Sequence, residues 1–243
     1  MIPGWLDSIE ARTPLIESFQ RYANIIIYEP RGFGKSSKPH KRGIWGVEEF
    51  TDDLSKVIKL YNLKDDEFFI WGSCIGSALS YLYYLTKNGV KPKGMLSASP
   101  ESKFKTKWWF NVLKLLPYPL LWLAQKLVVF VLRIYLKFKT PKETANLDYA
   151  LKRFKEAGLY IQLRILVEFI HKYDIRGREK GLDLPILVLI AEQDWFTDPE
   201  NSKLFATLHP KSKLIRFGDA HRIIVGNHEI IGDHVKDFID ILE

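Results

Sequence analysis

Five short apolar runs, each followed by a loop and a stretch of helical spacing, constrain the fold of this 243-residue chain more than anything else in it. They lie at residues 24–28, 68–71, 94–98, 186–190 and 213–217. Residues 46–62 put Val47, Phe50, Leu54, Val57, Ile58 and Tyr61 on one face of a helix, because side chains three and four apart stack along it. Residues 73–87, 198–208 and 227–242 also read as helices, and residues 13–22 as a short amphipathic one. Strands alternating with helices predict an α/β fold with a mostly parallel sheet flanked by helices. Strands buried on both faces need no polar alternation, which suits PILVLIA at 185–191.

Residues 101–181 break this rhythm. They read as three or four helices without a strand, dividing the chain into a core at 1–100 and 182–243 and a helical insertion. The insertion carries 17 Lys and Arg against 7 Asp and Glu, while the rest carries 19 against 22. The net charge of +7 therefore resides in one segment. That argues against a nucleic-acid binder and for a segment with its own task. The stretch 107–139 is unusually apolar, but Pro117, Pro119 and Lys126 interrupt it. No run between its basic residues is long enough to span a bilayer. Two readings stay open: helices packed on the sheet domain, or an amphipathic surface that rests on membranes or covers an oily substrate. Lys103, Lys105, Lys107, Lys137 and Lys139 flank its aromatic residues in the manner of the second. One cysteine rules out an internal disulfide, and the N-terminus has no basic stretch leading into an apolar one. A cytoplasmic protein is expected, with peripheral membrane contact through the insertion as a second expectation.

Phe69-Ile70-Trp71-Gly72-Ser73-Cys74-Ile75-Gly76-Ser77 carries the chemistry. An apolar run enters Gly-x-Cys-x-Gly and a helix leaves it, the spacing of a nucleophile elbow with sulfur in place of hydroxyl. In so tight a turn, side chains at Gly72 or Gly76 would clash and the residue between them is strained. Cys74 then sits at a helix N-terminus, where backbone N–H groups favour a thiolate and can receive a developing oxyanion. Ser73 and Ser77 are rivals by chemistry, but neither has glycine two residues away on both sides. The bland alternative is that Cys74 is a small buried residue at a glycine-flanked turn, as free cysteines often are. No set of His, Cys and carboxylates combines helical ligand spacing with a third ligand, so no metal is expected.

Together these motifs resemble the α/β-hydrolase superfamily along nearly the whole chain. YEPRGFGKSSKP at 28–39 resembles the loop after the family's fourth strand, and WGSCIGS at 71–77 the elbow after its fifth. LIAEQDWFTDPE at 189–200 resembles the end of its seventh strand, and FGDAHRIIV at 217–225 the loop after its last. The resemblance implies Cys74 as nucleophile, His221 as general base and Asp194 as the acid that orients it. Asp194 is preferred to Asp198 because it stands where the family's G-x-x-D pattern puts the acid, whereas Asp198 precedes Pro199 and reads as a helix N-cap. The resemblance further implies an oxyanion hole from the Ile75 N–H and from Pro3-Gly4-Trp5, with Trp5 N–H as the second donor. It makes 101–181 the family's helical cap, and implies no cofactor.

The family places three strands before the loop that Pro3-Gly4-Trp5 resembles, and here only Met1 and Ile2 precede it. The expectation is an N-terminally truncated member: a fragment, a chain read from an internal start, or a degenerate form. Cysteine elbows occur in dienelactone-type hydrolases and in polyhydroxyalkanoate synthases. The expected activity is hydrolysis of an ester or thioester bond in a hydrophobic acyl substrate, through a Cys-His-Asp triad and a covalent acyl-enzyme. An acyltransferase resembling the synthases, and a catalytically inactive member that binds membrane or protein, are the alternatives.

Overall fold

The computed structural model describes residues 1–243 except 6, 87–88, 107–111, 113–114, 137–150, 153–154, 157, 195–196, 219–222, 224–225 and 243. Four of the five apolar runs pair side by side as β1 (Phe69–Ser73), β2 (Gly94–Ala98), β3 (Ile186–Ala191) and β4 (Ser212–Phe217). Every pairing is parallel, with Ser73 opposite Ala98, Ala98 opposite Leu189, and Ala191 opposite Phe217. Side chains alternate across a strand, so β3 feeds two cores. Ile186, Val188 and Ile190 pack with α2 (Val47–Leu60), α3 (Ile75–Thr86) and α6 (Pro199–Leu208). Leu187, Leu189 and Ala191 face α1 (Thr13–Phe19) and α7 (His228–Asp240) on the other side. No residue of β3 exposes more than 1% of its surface, which is why its sequence shows no polar alternation.

Residues 24–28 do not form the expected fifth strand. A strand exists through a partner's ladder of hydrogen bonds, and this run makes only isolated ones to the described residues. Ile2 bridges Gly72 in parallel, its N–H donating to Trp71 O at 2.8 Å while Ser73 N–H donates to Ile2 O at 3.3 Å. On the far side the contacts are Met1 N to Ile26 O at 2.5 Å and Tyr28 N–H to Met1 O at 3.5 Å. The β-branched ANIIIY run thus lies beside the sheet without a ladder. Amide hydrogen exchange should report this directly. Protection at Ile25–Ile27 is expected to fall orders of magnitude below that at Leu187–Leu189, which approaches the global limit.

Within 101–181 the described residues include α4 (Tyr118–Leu136) and α5 (Leu159–Ile165), the latter continuing as a π-helical stretch Leu166–Ile170. Residues 137–150, on which part of the helical expectation rests, lie outside the described residues. No described helix is long and apolar enough to cross a membrane. The inner seam of α4 is formed by Leu121, Gln125 and Val129, spaced four apart, with the exposed Tyr118 one turn before them. Leu121 and Val129 are buried, Tyr118 meets the Tyr160 ring edge-on at 5.5 Å, and the Gln125 Oε1 accepts from Leu159 N–H at 2.5 Å.

Candidate active site

The site begins where β1 ends. Cys74 has φ +50°, a left-handed conformation, and α3 starts at the next residue. A non-glycine residue there costs about 1–3 kcal/mol and persists only where its surroundings hold it. Here the Cys74 N–H donates to Ala98 O on the neighbouring strand at 2.7 Å. The flanking glycines let the turn close. A Cβ on Gly72 would stand 2.5 Å from the Gly76 carbonyl carbon and the Ser77 nitrogen, and one on Gly76 would stand 2.5 Å from Ile2 O. The two rival hydroxyls are committed to the scaffold: Ser77 Oγ donates to Gly72 O at 2.8 Å, and Ser73 Oγ accepts from Trp71 Nε1 at 3.1 Å.

The N-terminal segment runs past this turn. A Cβ on Gly4 would meet Ser73 O at 3.3 Å and Cys74 Cβ at 3.8 Å, so the backbone at Gly4 flanks the thiol. Trp5 follows it and packs at the edge of the main core. The loop beyond residue 28 is braced around one carboxylate. Glu29 accepts from Ile9 N–H at 3.1 Å and Lys35 N–H at 2.7 Å, filling the space that a side chain at Gly34 would need. Arg31 makes a fork to Asp53 at 2.6 and 2.8 Å and donates to Ile44 O. The glycine- and serine-rich loop is therefore a brace that holds the N-terminal segment near the elbow.

The thiol itself is buried. Burial pushes its pKa well above the ordinary value. The Ile75 N–H, directed at the sulfur, pulls the other way, and the charges of Asp194 and Glu101 add to the rise. Cys74 thus rests as a thiol, and attack requires a base that takes the proton as the bond forms. Asp194 stands three residues beyond β3. Its carboxylate accepts from Thr197 N–H at 2.9 Å and Thr197 Oγ at 2.5 Å, and a carboxylate has room for further donors beyond these two. Asp198 acts as the N-cap of α6, accepting from Glu200 N–H at 3.1 Å, and pairs with Lys105 at 2.5 Å. His221 lies outside the described residues. The structure thus brings Gly4, Cys74, Ile75 and Asp194 to one end of the sheet, the carboxyl end, where open α/β sheets bind ligands.

Sequence reasoning missed Glu101. It stands three residues beyond β2 as Asp194 does beyond β3, and that shared offset past adjacent parallel strands was the available signal. It is 2% exposed, its Oε1 accepts from Asp198 N–H at 2.5 Å, and its Oε2 meets no donor among the described residues. Burial raises its pKa to about 7. The Asp198 N–H opposes the rise, the Asp198 charge adds to it, and the Asn201 amide and Lys105 oppose it. The folded protein therefore prefers Glu101 protonated. The stability this contributes is full below the ordinary value of 4.5 and is lost as pH rises through about 7. Glu101→Gln fixes the neutral form. Thermal melts of both proteins across about pH 5 to 8 should show the parent losing several degrees relative to the variant, at ~2–4 °C per kcal/mol. Parallel curves would show that Glu101 does not titrate in this range.

The alpha/beta hydrolase fold family matches residues 1–229, and the chain belongs to that family. A hydrolase from Pseudomonas aeruginosa superposes with a TM-score of 0.76 at 14% identity, covering 98% of this chain and 88% of the other. An esterase from Exiguobacterium antarcticum superposes with a TM-score of 0.74 at 13% identity, covering 98% and 91%. In sequence, 68 residues are 37% identical to a proline iminopeptidase from Heyndrickxia coagulans, spanning 28% of this chain and 23% of that protein's length.

Proposed function

We propose that the chain is a cysteine-nucleophile hydrolase that cleaves ester or thioester bonds of hydrophobic acyl substrates through an acyl-enzyme at Cys74. The observation that carries this reading is the left-handed Cys74 between β1 and α3, with the Ile75 N–H on its sulfur. Left-handed strain at non-glycine residues clusters at active sites, and here it falls on a thiol at the start of a helix. In this reading His221 takes the Cys74 proton, the sulfur bonds the acyl carbon, and the oxyanion is held by Ile75 N–H and Trp5 N–H. The carbon–oxygen or carbon–sulfur bond to the leaving group breaks and His221 returns the proton to that group. Water, deprotonated by His221, then releases the acid and restores the thiol. Asp194 orients His221 throughout. The names of the relatives support a reaction at an acyl carbon, since an esterase and an iminopeptidase both cleave there.

The insertion 101–181 is assigned the part of a cap over the acyl chain. Buried Leu121 and Val129 of α4 and the aromatic Tyr118 and Tyr160 beside His40 support that part. A series of p-nitrophenyl esters of increasing acyl length tests the function. Turnover rising with chain length and absent in Cys74→Ala is expected, and turnover unchanged in that variant would defeat it. The same assay with an added alcohol acceptor separates hydrolysis from transfer. Acyl ester as the main product would assign the chain to the acyltransferases, which a thioester intermediate also permits.

A further inference from the structure

We infer that the outer face of α4 docks the protein on anionic lipid bilayers. Opposite the buried seam of this helix, Leu120, Leu123, Leu127, Phe130, Val131 and Ile134 form a second apolar stripe, spaced three and four apart and turned to solvent. Leu123 is 59% exposed, Leu127 62% and Phe130 60%, so the stripe is continuous and no described residue covers it. A helix of a water-surrounded protein buries one apolar stripe and presents polar residues opposite. α4 is apolar on both sides, and a large exposed apolar patch marks a surface that meets something else.

Charge identifies the occupant. From Ser102 to Lys142 the sequence holds nine Lys and Arg and no Asp or Glu. On α4 itself the charged side chains are Lys126 and Arg133, both exposed, with neither ion-paired to a described residue. Lys126 Nζ sits 5.1 Å above the Trp122 ring, placing an amphipathic aromatic and a cation together at the margin of the stripe. An apolar stripe with an aromatic at its edge and only cations among the charges of its own helix is the pattern of a helix lying in the headgroup region of an anionic membrane. A second copy of this chain would oppose cation to cation and has no acidic residue in the segment to relieve that. The inference is independent of the chemistry at Cys74.

Co-sedimentation with vesicles tests it, using the full chain and vesicles of phosphatidylcholine alone or with phosphatidylglycerol. Binding is expected only with phosphatidylglycerol and should weaken as salt rises. Leu123→Asp with Phe130→Asp should abolish it. Lys126→Gln with Arg133→Gln should weaken it roughly fivefold per cation, so about 25-fold for the pair. All four sites are exposed, so circular dichroism and thermal melts should match the parent. Binding indifferent to lipid charge, absent binding, or binding unchanged in both variant pairs would overturn the inference. So would a parent that is dimeric by sedimentation equilibrium, becomes monomeric with the Asp variants and never binds vesicles.

Discussion

Cys74→Ser is expected to leave a slow hydrolase with a chemically different intermediate, while Cys74→Ala loses turnover by about a thousandfold or more. The reason lies in the resting state of the nucleophile. Burial keeps the native thiol protonated, so the base must act as the sulfur attacks. A serine hydroxyl ionises with far more difficulty, depends wholly on His221, and should acylate more slowly. Its acyl-enzyme would be an ester rather than a thioester. Neutral hydroxylamine should therefore strip the acyl group from the parent protein and leave it on the serine variant. Alanine fits the same space beside Gly72 and Gly76, and its stability cost is expected within about 0.5–3 kcal/mol. A fully active alanine variant would remove Cys74 from the chemistry.

Gly72→Ala and Gly76→Ala are expected to be among the most destabilising small substitutions in the chain. The added methyl of Gly72→Ala meets backbone at 2.5 Å, in the Gly76 carbonyl and the Ser77 nitrogen. That of Gly76→Ala meets Ile2 O at 2.5 Å and Pro3 O at 3.0 Å. Backbone cannot step aside as a flexible side chain can, so each should cost about 3 kcal/mol or more, beyond the usual overpacking range. For a chain of this size that lowers Tm by roughly 6–12 °C. Gly218→Ala is the control: none of the described residues lies within 4 Å of its new methyl, and its effect should stay within about ±0.5 kcal/mol. Gly76→Ala carries a second message. Because its clash is with the N-terminal segment, it should displace Gly4 and Trp5 and depress turnover even in molecules that remain folded.

The sheet was legible in sequence wherever burial alone decides the structure. PILVLIA is apolar because both its faces are covered, and the 94–98 run was placed residue for residue. ANIIIY was misleading for the same reason that it looked convincing. Its β-branched residues fit a pleated surface, but strand formation requires a partner's ladder, and its isolated contacts to Met1 do not make one. At the site, Cys74 was legible because glycines at fixed offsets announce a turn that cannot hold side chains. Asp198 was legible as an N-cap from the proline that follows it. Glu101 was not, because the N–H that its carboxyl meets belongs to Asp198, 97 residues away, and no local pattern records that contact. The outer stripe of α4 was visible as an apolar run, but only the fold shows that one of its faces is turned to solvent.

In the proposed reaction Cys74 carries the acyl group. This is tested most directly by brief reaction of the native protein with an activated acyl ester, acid quench, proteolysis and mass spectrometry of the peptides. One added acyl group, removed by neutral hydroxylamine, is expected on the peptide containing Trp71-Gly72-Ser73-Cys74-Ile75-Gly76, with the fragment ions placing it on Cys74. An acyl group on Ser73, on Ser77 or on a surface lysine, or one that persists unchanged in Cys74→Ala, would contradict it.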